Sequence, residues 1–303
     1  MSTETRPNLF IVGAQKSGTS ALAGWLGQHP QVCMSFPKEP GFLAFGEAGY
    51  VFPDGYGKPA PASRYVVRDE QSYLRLFSGT TGRERIFGEA STWYLTQPGM
   101  PETLHRFNPG AQIIVLLRNP VERAYSAWCH ARADDLEPCA EFADALAMEA
   151  DRGEVEFLLR YRQMGLYSAA LRAYQAVFPP AQMKILFYDD LRSDPAALWR
   201  DVCSFLQIDE SHLPQFEQRY NTSGEPRSRA LQTLLRSHRV KSVARRALPY
   251  PWMLALKGRL DTLNLQALPP VQGATRIALL DFYRDDISAV AHLTGRNLRE
   301  WLQ

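Results

Sequence analysis

Gly13 and Gly18 frame the loop in Phe10-Ile-Val-Gly-Ala-Gln-Lys16-Ser-Gly-Thr19-Ser20. That Gly-x-x-x-x-Gly spacing lets backbone N–H groups close around a phosphate at the start of a helix. A nucleoside triphosphatase needs a lysine after the second glycine to reach the β/γ-phosphates, beside a Ser/Thr that holds Mg²⁺. Here Thr19 stands at that position and the lysine is Lys16, inside the loop. A lysine so placed touches a group bound directly to the 5′-phosphate. The loop therefore points to a nucleotide whose transferable group hangs on its first phosphate, with no β/γ tail to clamp.

Two further sites carry chemistry. Arg118 ends an apolar run, Gln112–Leu117; Asn119-Pro120 breaks the run, and Ser126 follows on the next helical pattern. An arginine fork at a strand end, with a serine on the following helix, can hold a second, separate phosphate. Glu89 ends the run Ile86–Glu89, flanked by Gly88 and Ala90. It is expected either to pair with Lys16 or Lys38 or to act as a general base that takes the proton from an acceptor hydroxyl. Burial would raise its basicity and the lysines would lower it. Glu39 is the competing base, although between Lys38 and Pro40 it is expected to fix a loop.

The elements that must position these groups alternate. Strand-like runs occur at Leu9–Gly13, Ile86–Glu89, Gln112–Leu117 and Met183–Tyr188, and helical patterns at 20–28, 121–133, 165–178 and 195–206. Near-continuous apolar strands between helices predict an α/β fold with a central parallel sheet flanked by helices, a P-loop-like arrangement of three layers. Ligands of such sheets bind beyond the carboxyl ends of the strands, where Lys16, Glu89, Arg118 and Tyr188 all fall. One domain is expected over 1–303. An irregular, Gly/Pro/Tyr-rich insertion at about 41–82 is expected over the mouth of the site, with a basic amphipathic segment at about 219–259.

Together these motifs resemble the PAPS-dependent sulfotransferases, above all the branch with heparan-sulfate-type and many bacterial enzymes. Further points of likeness are Pro37-Lys38-Glu39-Pro40, Gly165-Leu-Tyr167 with Leu171, Tyr174 and Phe178-Pro179, and Asn221-Thr-Ser-Gly-Glu-Pro-Arg227-Ser-Arg229. The resemblance implies that Gln15, Lys16, Ser17, Gly18, Thr19 and Ser20 form the 5′-phosphosulfate loop. It makes Arg118 and Ser126 the 3′-phosphate pair, and Glu89 the catalytic base. Lys38, with Glu39, would reach the sulfuryl group and the acceptor. Arg227 and Arg229 would close over the 3′-phosphate, a task that Lys257-Gly258-Arg259 can also fill. The implied reaction is in-line sulfuryl transfer from PAPS to a hydroxyl or amine, with Lys16 neutralising charge on the leaving phosphate. A sulfuryl group carries less charge than a phosphoryl group, so lysines can stand in for Mg²⁺ and no metal is required.

Composition is consistent with this. A chain of 303 residues with 45% apolar content can bury a full α/β core, and a net charge of +2 does not suggest a nucleic-acid partner. No apolar run approaches the ~18 residues of a membrane span, and the opening residues are polar, so a cytoplasmic protein is expected. Cys33, Cys129, Cys139 and Cys203 form no C-x-x-C pair and read as reduced thiols. The acceptor is left open among small molecules, carbohydrates and lipids. Residues 236–257 are a candidate contact for an anionic acceptor or a membrane surface. Two other readings stand beside this one. If Asp189, at the end of Ile185-Leu-Phe-Tyr, held Mg²⁺ as a Walker B acid, the protein would be a kinase. A loop that only bound a 3′,5′-bisphosphorylated nucleotide such as coenzyme A would need no carboxylate at Glu89.

Overall fold

The computed structural model describes residues 5–46, 66–78, 80–152, 158–216, 271 and 273–303. It also describes the backbone of a short antiparallel pair, Glu225–Pro226 and Leu265–Gln266. Arg227, Arg229 and the basic stretch 236–257 lie outside the described residues.

Five strands form one parallel sheet: β1 (Leu9–Gly13), β2 (Val32–Met34), β3 (Ile86–Ala90), β4 (Gln112–Leu117) and β5 (Met183–Phe187), in the order β2-β3-β1-β4-β5. Phe10 sits beside Glu89 on one neighbour and Ile113 on the other. Alternate side chains feed two cores. Phe10, Val12, Ile113, Val115 and Leu117 face one; Leu9, Ile11, Ile114, Leu116 and Leu186 face the other. Both faces are covered, which is why the strands read as unbroken apolar runs.

The first face packs against α3 (Met100–Phe107), α4 (Pro120–Ala133), the short α5 (Phe142–Ala147), α6 (Ser168–Val177) and the long α9 (Gly273–Thr294). The second packs against α1 (Thr19–Leu26) and α8 (Pro195–Leu206). The sequence reading lacks β2, a three-residue edge strand too short to show a period. It also lacks α9, whose buried Leu279, Tyr283, Ile287 and Val290 recur at helical spacing. The fourth strand stops one residue early: Tyr188 opens the short helix α7 (Tyr188–Ser193). Within 41–82 the described residues include a helical turn at Phe42–Gly46 and the helix α2 (Glu70–Arg75), whose Tyr73 and Leu74, with Phe77 just beyond it, pack with Phe42.

The end of the chain is tied to the sheet beside α4. The Trp301 indole N–H donates to Asp189 at 2.9 Å, and the Asn119 side-chain amide donates to the Trp301 carbonyl oxygen at 3.3 Å. Arg296 pairs with Asp190 at 2.5 Å. On α9, Asp286 accepts the Tyr167 and Ser168 amides at 2.8 and 3.0 Å, holding the start of α6. No helix among the described residues is long and apolar enough to cross a membrane.

Candidate active site

The loop after β1 is built on two glycines. A Cβ on Gly13 would lie 2.7 Å from the Leu95 Cβ, so only glycine lets the chain leave the sheet there. Gly18 has φ +95° and occupies the cap position of α1, and no side chain closes that helix's first turn. No side chain therefore competes with an anion at this helix start, where the dipole favours negative charge, and the Ala21 amide donates back to the Gly18 carbonyl oxygen at 3.0 Å. Ser17 is fully buried and its amide donates to the Ala14 carbonyl oxygen at 3.3 Å, so it shapes the loop from inside rather than lining its mouth. Lys16 and Gln15 are partly exposed, as is Ser20, while Thr19 is 3% exposed.

Cations gather around this loop. Arg118, just past β4, donates from Nη1 to the Lys16 carbonyl oxygen at 3.1 Å. The Arg118 guanidinium lies 4.7 Å over the Tyr188 ring, and the Tyr167 hydroxyl donates to the Arg118 carbonyl oxygen at 3.0 Å. Lys38 reaches the Thr19 hydroxyl at 3.5 Å from the segment after β2. Burial, helped by the nearby Arg118 and Lys38 charges, pushes the Lys16 ammonium down to about 8 against the pull of Asp134 and Glu39. Burial also holds Arg118 below its usual range. A bound anion would reverse both effects, which is what a nucleotide phosphate site asks of its residues.

Ser126 lies on α4 with 4% exposure. Arg123, one turn earlier on α4, is wholly enclosed and donates to the Tyr161 carbonyl oxygen. The strand Glu225–Pro226 packs beside α4, and Arg227 and Arg229 follow it outside the described residues.

The two candidate carboxylates have opposite surroundings. Glu89, expected to be the base, is 0% exposed. The hydroxyls of Tyr73 and Tyr94 donate to its Oε1, the latter at 3.0 Å, and that of Ser91 donates to Oε2 at 2.6 Å. Enclosure and three donors leave the carboxylate, read from the sequence as the base, no face toward an acceptor hydroxyl. Glu39 keeps 29% of its side chain exposed, 2.7 Å from the Lys38 ammonium, and accepts the Thr92 hydroxyl at 2.9 Å. Burial pushes the Glu39 carboxyl up, but Lys38 and Thr92 together outweigh it and hold the group below the usual carboxylate range.

Asp189, the acid that a kinase would use, receives the Trp301 indole, and the adjacent Asp190 pairs with Arg296. Both carboxylates serve to anchor the C-terminal segment. Residues to which the sequence analysis gave no role of their own include Tyr73, Ser91, Thr92, Tyr94 and Tyr167. Of these, Tyr73 had a local signal: Asp69, which accepts the Ser72 amide at 2.7 Å, is a helix cap ahead of Glu70.

Comparison with known proteins agrees with this arrangement. A family model described as the sulfotransferase family matches residues 60–212. Human bifunctional heparan sulfate N-deacetylase/N-sulfotransferase 3 is 25% identical over 305 residues, which takes in 98% of this chain and 31% of that protein. Bifunctional heparan sulfate N-deacetylase/N-sulfotransferase 1 of Xenopus tropicalis is 26% identical over the same shares. The chain thus spans about a third of the length of these curated relatives. The crystal structure of a sulfotransferase from Alicyclobacillus acidocaldarius superposes with a TM-score of 0.75 at 30% identity, covering 99% of this chain and 100% of that one.

Proposed function

The chain belongs to the sulfotransferase family, and from that premise we propose that it moves the sulfuryl group of PAPS to a hydroxyl or amine of a carbohydrate or other small-molecule acceptor. The observation that carries this reading is the uncapped first turn of α1, with Lys16 inside its loop and Arg118 hydrogen-bonded to the Lys16 carbonyl oxygen. The donor supplies an activated sulfuryl group whose leaving group is the 5′-phosphate. Lys16 neutralises the charge that grows on that phosphate, while the amides and hydroxyls of Thr19 and Ser20 hold it. Arg118 and Ser126 meet the 3′-phosphate, with Arg227 and Arg229 assigned to close over it. Glu39 takes the acceptor's proton. Lys38 shifts from Glu39 toward the sulfuryl oxygens, and the loss of that ion pair raises the basicity of Glu39 as the proton must be taken. The segment 236–257 is assigned to guiding an anionic or lipid-linked acceptor.

Incubation with [³⁵S]PAPS and pools of carbohydrate, aryl, alkyl and amine acceptors, followed by mass spectrometry, tests the reaction. A labelled product with release of 3′-phosphoadenosine 5′-phosphate is expected. No transfer to any pool, despite nucleotide binding, would reduce the protein to a binder. The 3′-site has its own test by calorimetry. Charge-assisted hydrogen bonds contribute about 1.5–3 kcal/mol each, so Arg118→Ala should weaken 3′-phosphoadenosine 5′-phosphate by ~10-fold or more and barely change 5′-AMP. Equal losses for both nucleotides would remove Arg118 from the 3′-phosphate.

A further inference from the structure

We infer that Glu89 is a positioning residue: from the core it sets, through two hydroxyl relays, the segment that carries Lys38 and Glu39. The first relay runs through Ser91, which donates to Glu89 Oε2 at 2.6 Å and accepts the Gly41 amide at 3.3 Å. The second runs through Tyr94, which donates to Glu89 Oε1 at 3.0 Å and accepts the Leu43 amide at 3.3 Å. Between them, Thr92 donates to the Glu39 carboxylate itself. The residues just past β3 therefore grip 39–43 at three successive points, and Glu89 lies beneath all of them.

The chemistry of the relay depends on a carboxylate. A hydroxyl has one proton to give, so it can present a lone pair to a backbone N–H only if its proton is directed elsewhere. An ionised carboxylate accepts from every side and turns the Ser91 and Tyr94 protons inward together. Tyr73, from α2, adds a third donor. An amide in place of Glu89 has one accepting and one donating end, so the hydroxyl that meets its NH2 is left with a buried proton and no acceptor for it. The relay then breaks and the segment moves.

Burial pushes the Glu89 carboxyl up to about 7, against the pull of Ser91, Tyr73 and Tyr94 and with help from the Glu39 charge. The groups facing it are those three hydroxyls, Glu39, and Tyr174 of α6, which donates to the Tyr94 carbonyl oxygen. Proton uptake by Glu89 breaks the relay just as the amide does. Turnover should therefore rise with pH through about 7.

The inference rests on Glu39 as the base, and a double-mutant cycle separates the two. Glu89→Gln should lower kcat by about 10²-fold through misplacement of the base, with affinity for 3′-phosphoadenosine 5′-phosphate preserved. Ser91→Ala and Tyr94→Phe, which leave Glu89 in place, should each lower kcat by about tenfold. In a Glu39→Gln background, Glu89→Gln should cost almost nothing more, because no base is left to position. The kcat limb near pH 7 should vanish in Glu89→Gln. Wild-type kcat in Ser91→Ala and Tyr94→Phe, with a loss confined to Glu89→Gln, would mean that Glu89 touches the reacting atoms, and would overturn the relay. So would losses that multiply in the double variant. If Glu39→Gln alone keeps full turnover, it is the base assignment that fails.

Discussion

Replacing Glu39 by glutamine should lower turnover with a hydroxyl acceptor by about 10²–10⁴-fold, the usual contribution of a general base, and leave nucleotide affinity nearly unchanged. Glutamine keeps the size and the hydrogen bond from Thr92, so the segment after β2 stays in place. What it loses is the ability to accept a proton. Lys38 and Thr92 donate to the same Glu39 oxygen, so Lys38 keeps an acceptor there but loses the charge that pairs with it. The change should thus appear in kcat, not in the donor's KM. Single-turnover kinetics with saturating PAPS measures this directly. Near-normal turnover would remove Glu39 from the reaction.

Lys16→Ala has the other large effect. Removing one preorganised donor from a developing charge commonly costs about 10²–10³ in kcat, and a cation in a half-buried loop should sit at the upper end of that range. Binding should suffer as well, because Lys16 meets the phosphate before the sulfuryl group is transferred and not only during transfer. The wild-type protein offers a pH signature of the same residue. In the empty site Lys16 loses its proton at about 8, and a bound phosphate raises that value. Affinity for 3′-phosphoadenosine 5′-phosphate should therefore be full below pH 8 and fall by up to about tenfold per unit above it. Calorimetry between pH 7 and 9.5 should show this decline in the wild type and a flat profile in Lys16→Ala. A decline that persists in the variant would assign the titration to another group.

The parts of the site that belong to regular elements could be read without the structure. Lys16, Thr19 and Ser20 follow a glycine-framed turn between a strand and a helix, and Arg118 ends a strand that Asn119-Pro120 breaks. In each case the local sequence dictates the local geometry, and parallel pairing puts all the strand ends on one edge. Glu89 was legible as a charge at a strand end and read there as the base; its enclosure was not legible. Its role depends on Tyr73 and Tyr94, which close over it from α2 and from the turn after β3, and no local pattern links 73 to 89. Glu39 had the reverse fate. Flanked by Lys38 and Pro40 it read as part of a loop, and its partial exposure beside Thr92 is set by a contact 53 residues away in the chain. Charge at a strand end could be seen in the sequence; whether water reaches it could not.

The fastening of Trp301 to Asp189 and of Asn119 to the Trp301 backbone has a consequence for biosynthesis. Synthesis runs from the N-terminus, and the sheet can form once β5 has been made. The turn that presents Arg118, however, takes one support from Trp301, 182 residues beyond Asn119 in the chain. A nascent chain would hold a folded sheet and a formed Lys16 loop while the turn after β4 still lacked that support. The sheet and the turn at its edge are therefore completed at separate times, the turn only once residue 301 has left the ribosome.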